Sequence, residues 1–155
     1  MAPAEPRAPT SLPRVREARI GDGEDLARLL GELGYPCTAD EAEARISALG
    51  KDRGQSLWLA EAEGRRLGLM ALDKRYYLPI GGLSCRITAL VVDPVARRAG
   101  IGRALLRHAE ALARDAGALR IELTTATHRD EAHAFYRACG YRESAVRFAR
   151  TLGDS

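Results

Sequence analysis

From Ile87 to Ala113 the sequence reads ITALVVDPVARRAGIGRALLRHAEALA, and no other stretch constrains the fold as tightly. ITALVV is an apolar run of strand length, cut off by Asp93-Pro94 because proline has no N–H to offer a sheet ladder. Glycines at 100 and 102 then turn the chain. Beyond them Leu105, Ala109, Leu112 and Ala116 fall on one stripe of a helix over 102–116, which Gly117 ends. A buried strand that turns at once into an amphipathic helix needs a sheet with helices laid on its faces.

The flanking sequence supplies the other layers. Residues 15–20 make a short strand, and Asp22 with Asp25 opens a helix whose Leu26, Leu29, Leu30 and Leu33 share a face before Gly34. Pro36 blocks continuation. Thr38 and Glu41 form a T-x-x-E capping box for a second helix, which carries Ala42, Ile46 and Leu49 and ends at Gly50. The apolar period then changes from that of a helix to that of a strand, and 57–61 and 67–77 read as hairpin arms about a Glu63-Gly64 turn. Pro79, Gly81 and Gly82 lead into a strand over 83–92. ALRIELTT predicts a further strand, and 130–139 a helix with Ala132, Phe135, Tyr136 and Cys139 on one face. Residues 141–151 predict one or two closing strands. This order describes an α+β domain on a mixed sheet with helices on both faces.

A chain of 155 residues buries about two-thirds of its unfolded surface, enough for one core. That domain spans 14–155, and residues 1–13, with prolines at 3, 6, 9 and 13, predict a disordered N-terminal arm. No run approaches the roughly 18 apolar residues of a membrane span, and the N-terminus lacks the apolar stretch of a secretion signal. A cytoplasmic protein with no membrane partner is expected. The net charge is +3, but bases and acids interleave (EARI, EDLAR, RDEAH), which predicts a solvated surface rather than nucleic-acid binding. Cys37, Cys85 and Cys139 are far apart and lack ligand spacing, so they read as reduced thiols, and no metal is expected.

The local excess of bases, Arg97, Arg98, Arg103 and Arg107, surrounds the glycine turn. Backbone N–H groups from Ala99 to Arg103 would lie at a helix N-terminus, which carries about half a positive charge and attracts phosphate. An ordinary tight turn with surface arginines reads the same way. Two familiar phosphate loops are excluded: Arg103 stands where a Walker loop needs lysine, and Leu105 stands where a dinucleotide fingerprint needs its third glycine.

At this point the sequence resembles the GNAT superfamily of acyl-CoA-dependent N-acetyltransferases. Its signature [RQ]-x-x-G-x-[GA] is matched by Arg97-Arg98-Ala99-Gly100-Ile101-Gly102, after Leu90-Val91-Val92-Asp93-Pro94. A second signature, A-x-x-F-Y-x-x-x-G-[FY], is matched by Ala132 through Phe135-Tyr136 to Gly140-Tyr141. The resemblance implies acetyl-CoA as cosubstrate and a sheet whose fourth and fifth strands splay into a V. It implies that the backbone from Arg98 to Arg103 holds the pyrophosphate, that Leu90, Val91 and Val92 line the pantetheine arm, and that Phe135 and His128 lie near it. Tyr136 would protonate the departing thiolate, and a backbone N–H near Val92 would take the developing oxyanion.

The reaction itself makes demands. A lysine-like amine is neutral in only about one molecule in 2,500 at pH 7, so a base or a desolvating site is required. Family members that use a glutamate carry it eleven residues before the motif, where this chain has Arg86. Glu122, His128 and water stay open as proton acceptors. His128 and Arg129 also stand where many members have asparagine. In this family the acceptor pocket forms near Leu33-Gly34-Tyr35-Pro36 and Tyr76, Tyr77 and Leu78. The expected function is acetyl transfer to a primary amine of a small molecule through a ternary complex; the rivals are a non-catalytic acetyl-CoA-binding module and acetylation of a protein amine. Dimerisation is common in the family, and no residue here specifies a homodimer.

Overall fold

The computed structural model describes residues 7–125 and 130–153. The chain divides into two compact units, Met1–Thr124 and Thr125–Ser155. In the first, a five-stranded sheet runs in the order of the sequence: β1 (Arg14–Glu17), β2 (Gln55–Ala62), β3 (Arg65–Tyr77), β4 (Gly82–Val92) and β5 (Arg120–Leu123). The first four pair antiparallel, and β5 lies parallel to β4. The β2–β3 hairpin closes on Glu63 and Gly64, both left-handed with φ of 53° and 73°, as a two-residue turn between twisted strands requires.

Helices α1 (Gly23–Leu33) and α2 (Ala39–Gly50) cover one face. Leu26, Leu29, Ala42 and Ile46 pack there on Leu57, Leu59, Leu69 and Val91, the residues of β2, β3 and β4 that point the same way. The expected capping box starts α2: the Thr38 hydroxyl accepts from the Glu41 N–H at 3.1 Å, and the Glu41 carboxylate accepts from the Thr38 N–H at 3.2 Å. Asp22 begins α1 differently. Its carboxylate accepts from both ends of the Arg16 guanidinium at 2.9 Å and from the Arg19 N–H at 2.8 Å, so it ties β1 to the helix.

Helix α3 (Ile101–Asp115) covers the opposite face, with Ile101, Leu105, Leu106 and Ala109 buried. The mixed sheet with helices on both faces is the fold the sequence predicts. Within β4, Ala89 pairs with Ala71 and Ile87 with Leu72, so Thr88 is an extra, bulged residue.

The second unit carries α4 (Asp130–Ala138), ended by Gly140 in the left-handed region with φ of 97°. The closing strands expected over 141–151 are not formed: residues 141–150 have no regular structure, and Val146 and Phe148 are exposed. The alternation of Val146 and Phe148 with Arg147 is real, but alternation only says which way side chains would face. A strand exists when a neighbour supplies its hydrogen bonds.

Candidate active site

The exit of β4 is latched before the glycine turn begins. The Asp93 N–H donates to the Leu67 carbonyl at 2.8 Å, and the Asp93 carboxylate accepts from the Val95 N–H at 3.0 Å and from Arg28 of α1. Arg28 also donates to the Arg66 carbonyl at 2.6 Å, so α1, β3 and the loop are fastened at one point. A short 3-10 turn, Pro94–Ala96, buries Ala96.

From Arg97 the chain makes a compact turn. Arg97 is extended, Arg98 is left-handed with φ of 68°, and Gly100 is left-handed with φ of 83°. A side chain with a β-carbon costs about 1 kcal/mol in that conformation, so Arg98 is held there by its surroundings. The first bond of α3 runs from the Ala104 N–H to the Gly100 carbonyl at 3.0 Å. The N–H groups of Ile101, Gly102 and Arg103 precede it and have no carbonyl one turn back. Gly100, as N-cap, brings no side-chain acceptor, and a β-carbon built on it meets nothing within 4 Å. Arg97, Arg98 and Arg103 are exposed around this turn, and Ala99 and Gly102 are half-buried. Donor-rich backbone, the positive end of a helix and adjacent guanidinium groups suit a pyrophosphate.

Next to this turn lies the end of β4. The β4–β5 ladder stops at Ile87 and Leu123, whereas β4 continues through Leu90, Val91 and Val92 to the loop. Those three residues pair with Met70, Leu69 and Gly68 on the β3 side and have no β5 partner. This is the splay between the fourth and fifth strands. Val91 turns its side chain into the α1–α2 core, while Leu90 and Val92 are half-buried.

Gly68 is a residue that the hairpin reading passed over. A β-carbon there would stand 2.7 Å from Ile101 and 2.9 Å from Leu105, so its absence lets α3 begin directly above β3. A lone glycine inside an apolar strand was the available signal.

At the closed end of the splay Arg86 stands opposite Glu122. Arg86 donates to one oxygen of Glu122 at 2.8 and 3.0 Å, and Arg120 donates to the other at 3.2 Å. Both carboxylate oxygens are therefore engaged. Of the expected acceptor-pocket residues, Tyr35, Tyr76 and Leu78 are strongly exposed, and Tyr77 lies beneath the Arg120 guanidinium at 4.8 Å.

In the second unit Phe135 and Tyr136 are half-buried neighbours on α4, their ring centres 5.3 Å apart, and Tyr136 meets the Tyr141 ring at 6.3 Å. Arg137 donates to Glu143 at 2.6 Å. His128 lies outside the described residues. Cys37, Cys85 and Cys139 are free thiols; Cys85 is fully buried, and that burial pushes its thiol above the usual range. Among the described residues no group of His, Cys, Asp and Glu side chains is arranged to hold a metal ion, and no helix is long and apolar enough to cross a membrane.

The family model for the acetyltransferase (GNAT) family matches residues 24–141. The chain belongs to the GNAT family of acetyltransferases. It is similar to the aminoalkylphosphonate N-acetyltransferase of Salmonella typhimurium, 39% identical over 143 residues that cover 89% of this chain and 90% of that one. It is also similar to the aminoglycoside N(6')-acetyltransferase type 1 of Stenotrophomonas maltophilia, 30% identical across 86% of this chain and 89% of that one. Its fold matches the solved structure of an aminoglycoside N-acetyltransferase in complex with CoA, with a TM-score of 0.79 over 96% of this chain and 99% of that chain at 18% identity. This GNAT protein is thus an N-acetyltransferase, and acetyl-CoA is the family's acyl donor.

Proposed function

We propose that this acetyltransferase moves the acetyl group of acetyl-CoA to a primary amine of a small molecule, by direct attack in a ternary complex. One observation carries the reading: the N–H-rich turn at the start of α3 adjoins a strand, β4, whose last residues have no β5 partner among the described residues. A pyrophosphate is held by the N–H groups from Gly100 to Arg103, the Ala99 N–H being already bonded to the Ala96 carbonyl at 3.2 Å, with Arg97, Arg98 and Arg103 supplying charge. The pantetheine amides hydrogen-bond along Leu90, Val91 and Val92 as an added strand does. Acetyl-CoA supplies a reactive thioester. Tyr136 gives a proton to the departing sulfur, and Phe135 packs against the arm.

The acceptor class rests on two relatives, one whose name gives an aminoalkylphosphonate and one an aminoglycoside, both small-molecule amines. Acetyl transfer from acetyl-CoA to a panel of amines, with the products identified by mass spectrometry, tests the proposal. A single acetylated small amine is the expected result. Acetyl-CoA binding with no acetylated small amine would overturn it in favour of a protein acceptor or a non-catalytic sensor.

A further inference from the structure

Alternation along a strand puts Arg75 and Tyr77 of β3, Ser84 and Arg86 of β4, and Arg120 and Glu122 of β5 on one face of the sheet. It is the face that α1 and α2 cover at the opposite end, where Leu69, Ala71, Ala89 and Val91 lie beneath them. The charged end borders the splay, because the Arg86–Glu122 pair is one step before the last pair of the β4–β5 ladder. Leu90 lies three ladder steps farther along β4, opposite Met70 where Arg86 is opposite Asp73, which is about 10 Å at the usual strand rise.

Two arginines converge here on one carboxylate. Arg86 and Arg120 bring far more N–H donors than the lone pairs of Glu122 can use, and the three charges leave one net positive. Arg120 is set in place by the ring of Tyr77 below it and by a 3.4 Å approach of its Nε to the Ser84 hydroxyl. All three charged side chains keep about a third or more of their surface exposed: 34% for Arg86, 42% for Arg120 and 32% for Glu122. They are open to a ligand. A guanidinium pair flanking a carboxylate is complementary to a molecule that carries an anion and a cation a short distance apart.

We infer that the acetyl acceptor is a short zwitterion whose anionic group binds Arg86 and Arg120 while its ammonium faces Glu122; this rests on the acetyl-transfer reading above. The anion takes over arginine donors that Glu122 otherwise holds, and the freed carboxylate pairs with the ammonium. Glu122 then takes one proton from the nitrogen and passes it to solvent. The nitrogen lone pair attacks the thioester carbon, the N–C bond forms and the C–S bond breaks. Sulfur leaves with the bonding electrons and takes the Tyr136 proton, and the second proton that the nitrogen sheds restores the phenol.

The test compares 2-aminoethylphosphonate with propylamine as acceptors. It also follows 2-aminoethylphosphonate by phosphorus NMR in the presence of the native chain, Arg86→Gln and Arg120→Gln, each checked for native circular dichroism. The native chain should prefer the zwitterion in kcat/KM by at least about tenfold, and each variant should bring the ratio towards one. The phosphorus signal should shift with the native chain and not with Arg86→Gln. A native ratio near one, or a preference and signal unchanged in both variants, overturns the inference. Transfer to propylamine without arginine dependence would leave the acetyl-transfer reading standing and remove this one. Arginine-dependent phosphonate binding with no transfer to any amine would remove the acetyl-transfer reading and, with it, the acceptor role inferred for the zwitterion.

Discussion

Gly68 and Ile101 meet so closely that a single added methyl group has no place between them: a β-carbon on Gly68 would lie 2.7 Å from Ile101 Cγ2. Leu105 and the Val91 carbonyl close the other sides at 2.9 and 3.2 Å. Ile101 and Leu105 are themselves fully buried, so neither can swing aside. The N-terminal turn of α3 therefore takes its height above the sheet from a glycine in a strand more than thirty residues earlier.

Gly68→Ala should destabilise the fold by roughly 1–3 kcal/mol, the usual cost of overpacking a filled core. It should also weaken CoA, because the helix that presents the Ile101, Gly102 and Arg103 N–H groups has to lift. Thermal unfolding and calorimetric CoA titration of the same protein would check both. A lowered melting temperature with unchanged CoA affinity would separate Gly68 from the loop.

Gly31→Ala should act in the opposite direction. Gly31 lies within α1, is exposed, and a β-carbon there meets nothing within 4 Å. Alanine at such a helix position restricts the unfolded chain and should stabilise by about 0.5–1 kcal/mol. Denaturant midpoints of the two glycine variants, measured side by side, would show opposite signs.

Gly100→Glu should abolish CoA binding and leave most of the fold intact. A β-carbon on Gly100 meets no protein atom within 4 Å. Its left-handed φ of 83° costs about 1–2 kcal/mol once a β-carbon is present. The added carboxylate would stand where a pyrophosphate is proposed to sit. Gly100→Asn, which tolerates the left-handed region better and adds no charge, should lose much less affinity in the same titration.

His108 predicts how stability depends on pH. Its ring packs on Trp58 with centroids 4.4 Å apart, and its Nε2 is buried without a hydrogen-bond partner among the described residues. Burial holds its value below the ordinary 6.5. Unfolded chains then take up the proton first as the pH falls, so this contribution is whole above about pH 6.5 and declines below it. His108→Leu should remove that decline. Denaturant unfolding at pH 7.5 and pH 5.5 would show the native chain losing more stability than the variant between the two.

Local chemistry was the legible part of this fold. The Thr38–Glu41 box, the Glu63-Gly64 turn and the Gly34 end of α1 depend on residues within a few positions of one another, and each forms where the sequence places it. The loop was legible because its glycines and arginines are contiguous. Gly68 was not, since the reason for a glycine there is a helix that arrives thirty-three residues later. The pairing of Arg86 with Glu122 depends on the register of two strands separated by a helix, which no local pattern encodes. The 141–151 segment failed in the other direction, because its pattern promises a strand and no ladder forms there.

Tyr136→Phe separates chemistry from binding. The proposed donor acts only as the C–S bond breaks, so losing the hydroxyl should lower kcat by about a hundredfold or more while the acetyl-CoA dissociation constant changes little. The ring is kept, so its contacts with Phe135 and Tyr141, at 5.3 and 6.3 Å between centroids, should hold and α4 should remain folded. Phe135→Ala provides the contrast: if Phe135 packs on the pantetheine arm, this variant should weaken acetyl-CoA binding as well as slow turnover. Steady-state kinetics with the identified amine, alongside calorimetric acetyl-CoA titration, would distinguish the two patterns. An unchanged kcat for Tyr136→Phe would remove the tyrosine from the mechanism and leave the thiolate to be protonated by water.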